Sequence, residues 1–245
     1  MIVNEDRKTS PKQRIIIIAI AIFMLFSTFA LYVGIVLNFK NSETQSENAT
    51  SRMNRFAELY NDYQSRKSDR ASKLSDQYFE QFKSYRGEVK AYNAAAVTSL
   101  ETRDLVVGQG REIKYTYADE KEEEIASYDT DYAAYYIGWL SDETIFDSSF
   151  NSKNDPTALN DPLAGSTSMI QGWLEGIEGM RIGGVREITI PSLLGYDSQE
   201  QNDIPADSPL KFVVMLVEKP EALEVSDELE TLYQEFMGQS LRAQQ

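Results

Sequence analysis

The chain has 245 residues, with 39 acidic against 24 basic side chains for a net charge of −15, and it contains neither cysteine nor histidine. Those absences exclude disulfides, thiolate and imidazole metal ligands, and Ser-His or Cys-His nucleophile pairs, so no metal or cofactor is expected. The negative charge argues against a nucleic-acid partner, whose phosphates demand a basic face.

Arg7, Lys8, Lys12 and Arg14 precede an uncharged run from Ile15 to Leu37, interrupted only by Ser27, Thr28 and Gly34. As a helix this run reaches roughly 35 Å, enough to cross a hydrocarbon core of about 30 Å with some tilt. A cleaved signal peptide would have a shorter apolar stretch of ~7–15 residues and a small-x-small site. Asn38-Phe39-Lys40 offers no such site, and no Cys is present for a lipid anchor. The sequence therefore predicts an uncleaved single-pass anchor in the cell membrane. By the positive-inside rule, residues 1–14 are a cytoplasmic tail and everything after about residue 38 is extracytoplasmic.

Residues 38–98 read as a polar neck followed by a helical stalk. The stretch 41–50 (NSETQSENAT) is polar and turn-prone, which suggests a flexible segment. From Ser51 to Val97 there is no proline and one glycine, Gly87. Apolar and aromatic residues recur at steps of three and four: Met53, Phe56, Tyr60, Tyr63, then Ala71, Leu74, Tyr78, Phe82, Tyr85, Val89, Tyr92 and Ala96. That period predicts one long amphipathic helix or two shorter ones, with an aromatic stripe for packing. A second copy of the stalk, giving self-association, or the C-terminal helix are the two candidate partners for the stripe.

From Asp104 the pattern changes. DLVVGQGREI reads as a strand interrupted by a Gly-x-Gly turn, too incomplete for a dinucleotide site. Tyr115 to Asp131 carries the acidic stretch 118–124 (ADEKEEE), read as a solvated loop or hairpin tip. Tyr132–Leu140 is an aromatic-rich strand, Met169–Gly179 a short helix, Val185–Ile190 an alternating strand and Leu210–Val217 a buried one. Strands around one short helix predict an α+β domain with an antiparallel sheet. The segment 221–245 holds an amphipathic helix: Ser226 is a candidate N-cap, with Leu229, Leu232, Tyr233, Phe236 and Met237 on one face.

Four blocks, YYIGWLSDETIFDSS (135–149), MIQGWLEGIEGM (169–180), REITIPSLLGY (186–196) and IPADSPLKFVVMLV (204–217), resemble in order and spacing the signatures of FKBP-type peptidyl-prolyl cis-trans isomerases. The resemblance covers residues 99–220. It implies an antiparallel half-barrel wrapped around a short helix, with a hydrophobic pocket between them.

The resemblance also implies the roles of individual residues. Trp173 would form the pocket floor, and Tyr136, Phe146, Met169, Ile170, Ile204 and Phe212 its walls. Asp147 and Tyr196 would be the polar groups at its edge. Asp147 also has a plainer reading, as a turn cap before Ser148-Ser149. The implied activity is isomerisation of X-Pro bonds in proline-containing exported or cell-surface polypeptides. The alternative is a catalytically weak binding module that holds a proline-containing segment near the membrane.

Three departures stand out. The family's aromatic before Gly165 is replaced by Leu159-Asn160-Asp161-Pro162-Leu163, so one wall is missing or supplied by Leu159. The family's Tyr-Gly is Tyr196-Asp197, so the following loop is expected to turn differently. The acidic insertion is long for a compact member. The short stretch from Tyr196 to Ile204 leaves no room for an inserted chaperone lobe.

Overall fold

The computed structural model describes residues 43–117 and 125–242. The predicted tail and span (1–37) and the acidic stretch 118–124 lie outside the described residues. Among those described, no helix is long and apolar enough to cross a membrane. In chain order the elements are α1 (Glu43–Lys83), β1 (Glu101–Val106), β2 (Thr116–Tyr117), β3 (Ile125–Ser127), β4 (Ala133–Trp139), β5 (Ile145–Ser148), β6 (Leu163–Ala164), α2 (Gln171–Ile177), β7 (Val185–Ile190), β8 (Leu210–Val217) and α3 (Asp227–Arg242). The described residues fall into two compact units, 43–66 with 223–242 and the described part of 67–222.

In the first unit, the segment expected to be a flexible neck is helical from Glu43. It contains no proline or glycine, and Glu43, Gln45, Glu47 and Ala49 are good helix formers, so nothing in it stops the helix that the later periodic residues support. Phe56, Tyr60 and Tyr63 are buried against Leu229, Leu232 and Tyr233 of α3. The apolar stripe here is therefore covered within the chain by the C-terminal helix. Phe56 meets the edge of Phe236 at 5.4 Å between ring centres. Ser226 caps α3 as its sequence suggests, its hydroxyl accepting from the Leu229 N–H at 3.2 Å. The Met237 side chain lies outside the described ones.

The second unit is built on an antiparallel sheet in the order β1-β7-β8-β4-β5, with β6 also paired to β4; β2 and β3 form a separate two-stranded pair. β4 and β8 are central. Nearly every residue of AAYYIGW and LKFVVMLV is buried, as expected of strands covered on both faces rather than one.

One face carries α2 and the core of Trp173, Ile177, Ile188, Ile190, Phe212 and Val214. The opposite face, with Tyr135, Ile137, Trp139, Val213 and Met215, is covered by Tyr78, Phe79 and Phe82 of α1 and by Tyr85, Val89 and Tyr92 beyond it. Phe82 is fully buried. Polar ties fix this cover: Trp139 Nε1 donates to the Lys90 carbonyl at 3.1 Å and the Tyr92 hydroxyl to the Pro209 carbonyl at 2.8 Å. Helix geometry ends at Lys83, where a short 3-10 turn (Ser84–Glu88) leads into extended chain. The compact unit thus begins at Lys67, well before residue 99, where the composition changes.

The short helix α2 sits unusually close to the sheet. A Cβ on Gly172 would lie 2.3 Å from Ile190 Cγ2, and one on Gly176 would lie 2.6 Å from Ile188 Cγ2. Two glycines in seven residues weaken a helix by roughly 1 kcal/mol each, so α2 owes its existence to packing, not to propensity. Its last carbonyls are gathered by Arg186, which donates to Gly176 O (3.0 Å) and Glu178 O (2.9 Å) while its Nε binds Asp104 at 2.6 Å. Strand β7 therefore both abuts the helix and caps it.

Candidate active site

Alternation along β4 sends Tyr136 and Gly138 to the α2 face and Tyr135, Ile137 and Trp139 to the other. Gly138 pairs with Phe212 of β8 on one side and Asp147 of β5 on the other. A Cβ at Gly138 would fall 2.6 Å from Phe146 Cζ and 2.7 Å from Phe212 Cε1, so the missing side chain is what lets two rings converge there.

The aromatic residues interlock edge to face. Ring centres are 5.4 Å apart for Trp173–Phe212, 5.5 Å for Phe146–Phe212 and 5.5 Å for Tyr136–Trp173. Trp173, Ile204 and Phe212 form a buried base, while Tyr136, Phe146, Met169, Ile170 and Tyr196 are half-buried around it. The indole N–H of Trp173 donates to the Tyr132 hydroxyl at 3.3 Å, which fixes the ring's orientation.

Polar groups border this apolar base. The Tyr136 hydroxyl donates to Asp147 Oδ2 at 2.5 Å, and the Ser148 N–H donates to Oδ1 at 2.8 Å. Asp147 thus binds the N–H of its neighbour Ser148, but within strand β5 and not as the cap of a turn, and it also presents a carboxylate to the aromatic site. Ser149 locks the two strands, its hydroxyl accepting from the Tyr136 N–H and its own N–H donating to the Tyr136 carbonyl, each at 2.9 Å.

Burial raises the pKa of the Tyr136 phenol above the usual tyrosine range, and the hydrogen bond and charge of Asp147 raise it further. Tyr196 is also raised, by burial first and then by the Asp147 charge. Both phenols are neutral donors at physiological pH. Among the described residues, the Tyr196 hydroxyl and the Ile170 N–H have no acceptor. The Ile170 carbonyl, by contrast, accepts from Trp173 and Leu174 at the start of α2.

All nine residues singled out in the sequence converge on this one face. Leu159 does not: it is buried on the opposite face of the sheet, its N–H donating to Ser75 Oγ at 2.8 Å, and cannot supply the missing wall. Leu163, paired with Ala134, packs on the site's side of the core instead. The loop after Tyr196 also differs from expectation. Asp197 adopts φ +52°, a left-handed conformation that aspartate tolerates, so it makes a turn of the kind glycine would make.

Sequence reasoning passed over Tyr132, Gly138, Gly172, Gly176 and Lys153. The Lys153 ammonium donates to the Phe146 carbonyl at 2.8 Å and lies 3.5 Å from Asp203. The three glycines do leave a trace in the sequence, since glycine inside a strand or helix marks a close approach. Among the described residues no cluster of carboxylates could hold a metal ion. The assembled groups, an apolar base bordered by phenol and backbone donors and one carboxylate, can bind and orient a ligand.

Residues 122–217 match the family model described as FKBP-type peptidyl-prolyl cis-trans isomerase. The chain is 40% identical over 84 residues to an FK506-binding protein of Neisseria meningitidis serogroup C, covering 34% of this chain and 73% of that protein. It is 41% identical over 86 residues to FK506-binding protein 2 of Debaryomyces hansenii, covering 35% and 61% respectively. To FK506-binding protein 4 of Gibberella zeae it is 37% identical over 128 residues, covering 52% of this chain and 22% of that one. The chain thus spans less than two thirds of either fungal relative.

Proposed function

Because the chain belongs to the FKBP-type peptidyl-prolyl cis-trans isomerase family, we propose that it catalyses rotation about X-Pro bonds in proline-containing polypeptides. The observation that carries this reading is the Asp147–Tyr136 pair standing over the base of Trp173 and Phe212.

An X-Pro amide resists rotation with a barrier of roughly 18–20 kcal/mol, because twisting breaks its resonance. No covalent bond is made or broken, so a site without histidine or cysteine suffices. The twisted amide has a less polar carbonyl and loses less on leaving water, so an apolar aromatic site binds it better than either planar form. In this reading the proline ring rests against Trp173, and the preceding carbonyl turns towards Asp147 and the edges of Tyr136, Phe146 and Phe212. The Ile170 N–H and Tyr196 hydroxyl, which have no acceptor among the described residues, hold the peptide on either side. Met169 and Ile204 complete the apolar contact.

The test is magnetisation exchange between the cis and trans resonances of a proline peptide with the full chain and its Asp147→Asn and Tyr196→Phe variants. Catalysis reduced about tenfold or more in each variant, with the unfolding transition unchanged, supports the assignment. Equal exchange in all three proteins refutes it.

We further propose that residues 15–37 anchor the protein in the cell membrane, with residues from about 38 onward outside the cytoplasm, where exported chains are the substrates. The absence of any charge over that run and the four basic residues before it support this reading. Since the chain has no native cysteine, Ser10→Cys and Ser51→Cys give clean reporters. A membrane-impermeant maleimide should label only the second in intact cells; labelling of the first overturns the orientation.

A further inference from the structure

We propose that Tyr132 is a positioning residue of the site, fixing the Trp173 indole as the floor for the proline ring; this rests on the isomerase reading and adds a residue to it. Tyr132 is 1% exposed and stands immediately before β4, so the alternation that sends Tyr136 to the α2 face sends Tyr132 there too. One stretch of chain therefore meets the indole twice. The Tyr136 ring lies edge to face with it at 5.5 Å between centres, and the Tyr132 hydroxyl accepts its N–H at 3.3 Å. Among the described residues, that hydroxyl is the acceptor of the indole N–H.

The acceptor is itself held from behind. The Tyr132 carbonyl accepts from the Gly165 N–H at 2.9 Å, and a Cβ at Gly165 would fall 2.7 Å from Tyr132 Cε1. Backbone thus lies directly against the phenol ring. Tyr115 and Tyr128, edge to face at 4.8 Å between centres, pack into the same core cluster. A ring enclosed in this way has little freedom to carry its hydroxyl away from the indole.

Trp173 needs such a partner. It is 3% exposed, so an indole turned away from Tyr132 within the core would leave its N–H buried without an acceptor. Its helix is only seven residues long, and the neighbouring Gly172 brings no side chain to brace the ring.

The role has a kinetic signature. The proline ring keeps its shape while the preceding carbonyl turns, so its contact with the indole is the same in the planar and twisted states. Such uniform binding appears in KM and not in kcat. Asp147 and Tyr136 face the carbonyl that moves, and their loss appears in kcat.

Exchange spectroscopy with the full chain and its Tyr132→Phe variant tests this. KM for a proline peptide should rise about three- to tenfold, the scale of one buried hydrogen bond, with kcat within about twofold of the parent. A merely destabilised protein would lose apparent kcat as its folded fraction fell and keep its KM. In ¹⁵N-labelled protein the Trp173 indole N–H resonance should move upfield, while that of Trp139, bonded to the Lys90 carbonyl, should stay. In a Trp173→Phe background, which has no indole N–H, Tyr132→Phe should leave KM unchanged. An active parent whose KM is the same in Tyr132→Phe, or an equal rise in KM whether residue 173 is Trp or Phe, overturns the positioning role and leaves the isomerase reading intact. A parent that turns over no peptide overturns both.

Discussion

Tyr136 and Asp147, on adjacent antiparallel strands, share a 2.5 Å hydrogen bond in which the phenol is held neutral by burial and the carboxylate is held in place by the phenol. Removing that hydroxyl frees the carboxylate to rotate while leaving the rings packed. Tyr136→Phe should cost about 0.5–1.5 kcal/mol in stability and lower kcat/KM about tenfold. Urea unfolding and peptide exchange measure the two effects; an unaltered exchange rate would show that the pair does not serve turnover.

Gly172 and Gly176 set the distance between α2 and β7. On helix propensity alone, alanine at either position should stabilise the protein by roughly 1 kcal/mol. The 2.3 and 2.6 Å approaches to Ile190 and Ile188 reverse the sign. Gly172→Ala and Gly176→Ala should each destabilise by about 1–3 kcal/mol, the first also slowing exchange by displacing its neighbour Trp173. A rise in melting temperature for either variant would refute the close-packing account.

Tyr115, Tyr135 and Tyr136 all have raised phenol pKa values, with burial the leading cause in each. In the unfolded chain these groups titrate near pH 10. Protons held more tightly by the folded state give stability that is complete below about pH 10 and is lost as pH climbs beyond it. The urea midpoint should therefore be flat with respect to tyrosine ionisation between pH 7 and 9 and fall steeply above 10. Tyrosinate absorbance should rise together with unfolding for these residues; free titration of all 14 tyrosines in the folded state would contradict it.

The cover formed by Tyr78, Phe79, Phe82 and Tyr85 belongs to the sheet. A fragment of residues 67–222 should unfold cooperatively. One of residues 99–222 should lose at least 3–5 kcal/mol, the scale of deleting one buried aromatic, and bind hydrophobic dyes. Equal melting temperatures for the two fragments would mean the cover is dispensable.

Asp197 sits at φ +52°, where a β-branched side chain is strained. Asp197→Val should cost about 1–3 kcal/mol and Asp197→Gly much less, since glycine enters that region freely. Thermal unfolding of the two variants ranks them; the reverse order would exclude backbone strain as the determinant.

Much of the site was legible because its chemistry is tied to short blocks. The run LKFVVMLV can hardly be anything but a strand buried on both faces, and Trp173, Asp147 and Tyr196 sit in blocks whose order carries the information. Leu159 was not legible, because the face a residue takes in an irregular loop is set by its pairing with Phe150, not by distance along the chain. The period from Phe56 to Tyr92 reveals that one side of a helix is buried but is silent on the partner. It is α3 for Phe56, Tyr60 and Tyr63, and the sheet for Tyr78 and Phe82. Asp197 misled for a different reason: a glycine conformation was equated with glycine itself, whereas aspartate can adopt it.

The chain's two tryptophans stand on opposite sides of one sheet, Trp173 bonded to Tyr132 and Trp139 to the Lys90 carbonyl. The molecule therefore carries a built-in pair of optical reporters. With one indole replaced at a time, the remaining emission registers separately the opening of the ligand side and the detachment of the helical backing.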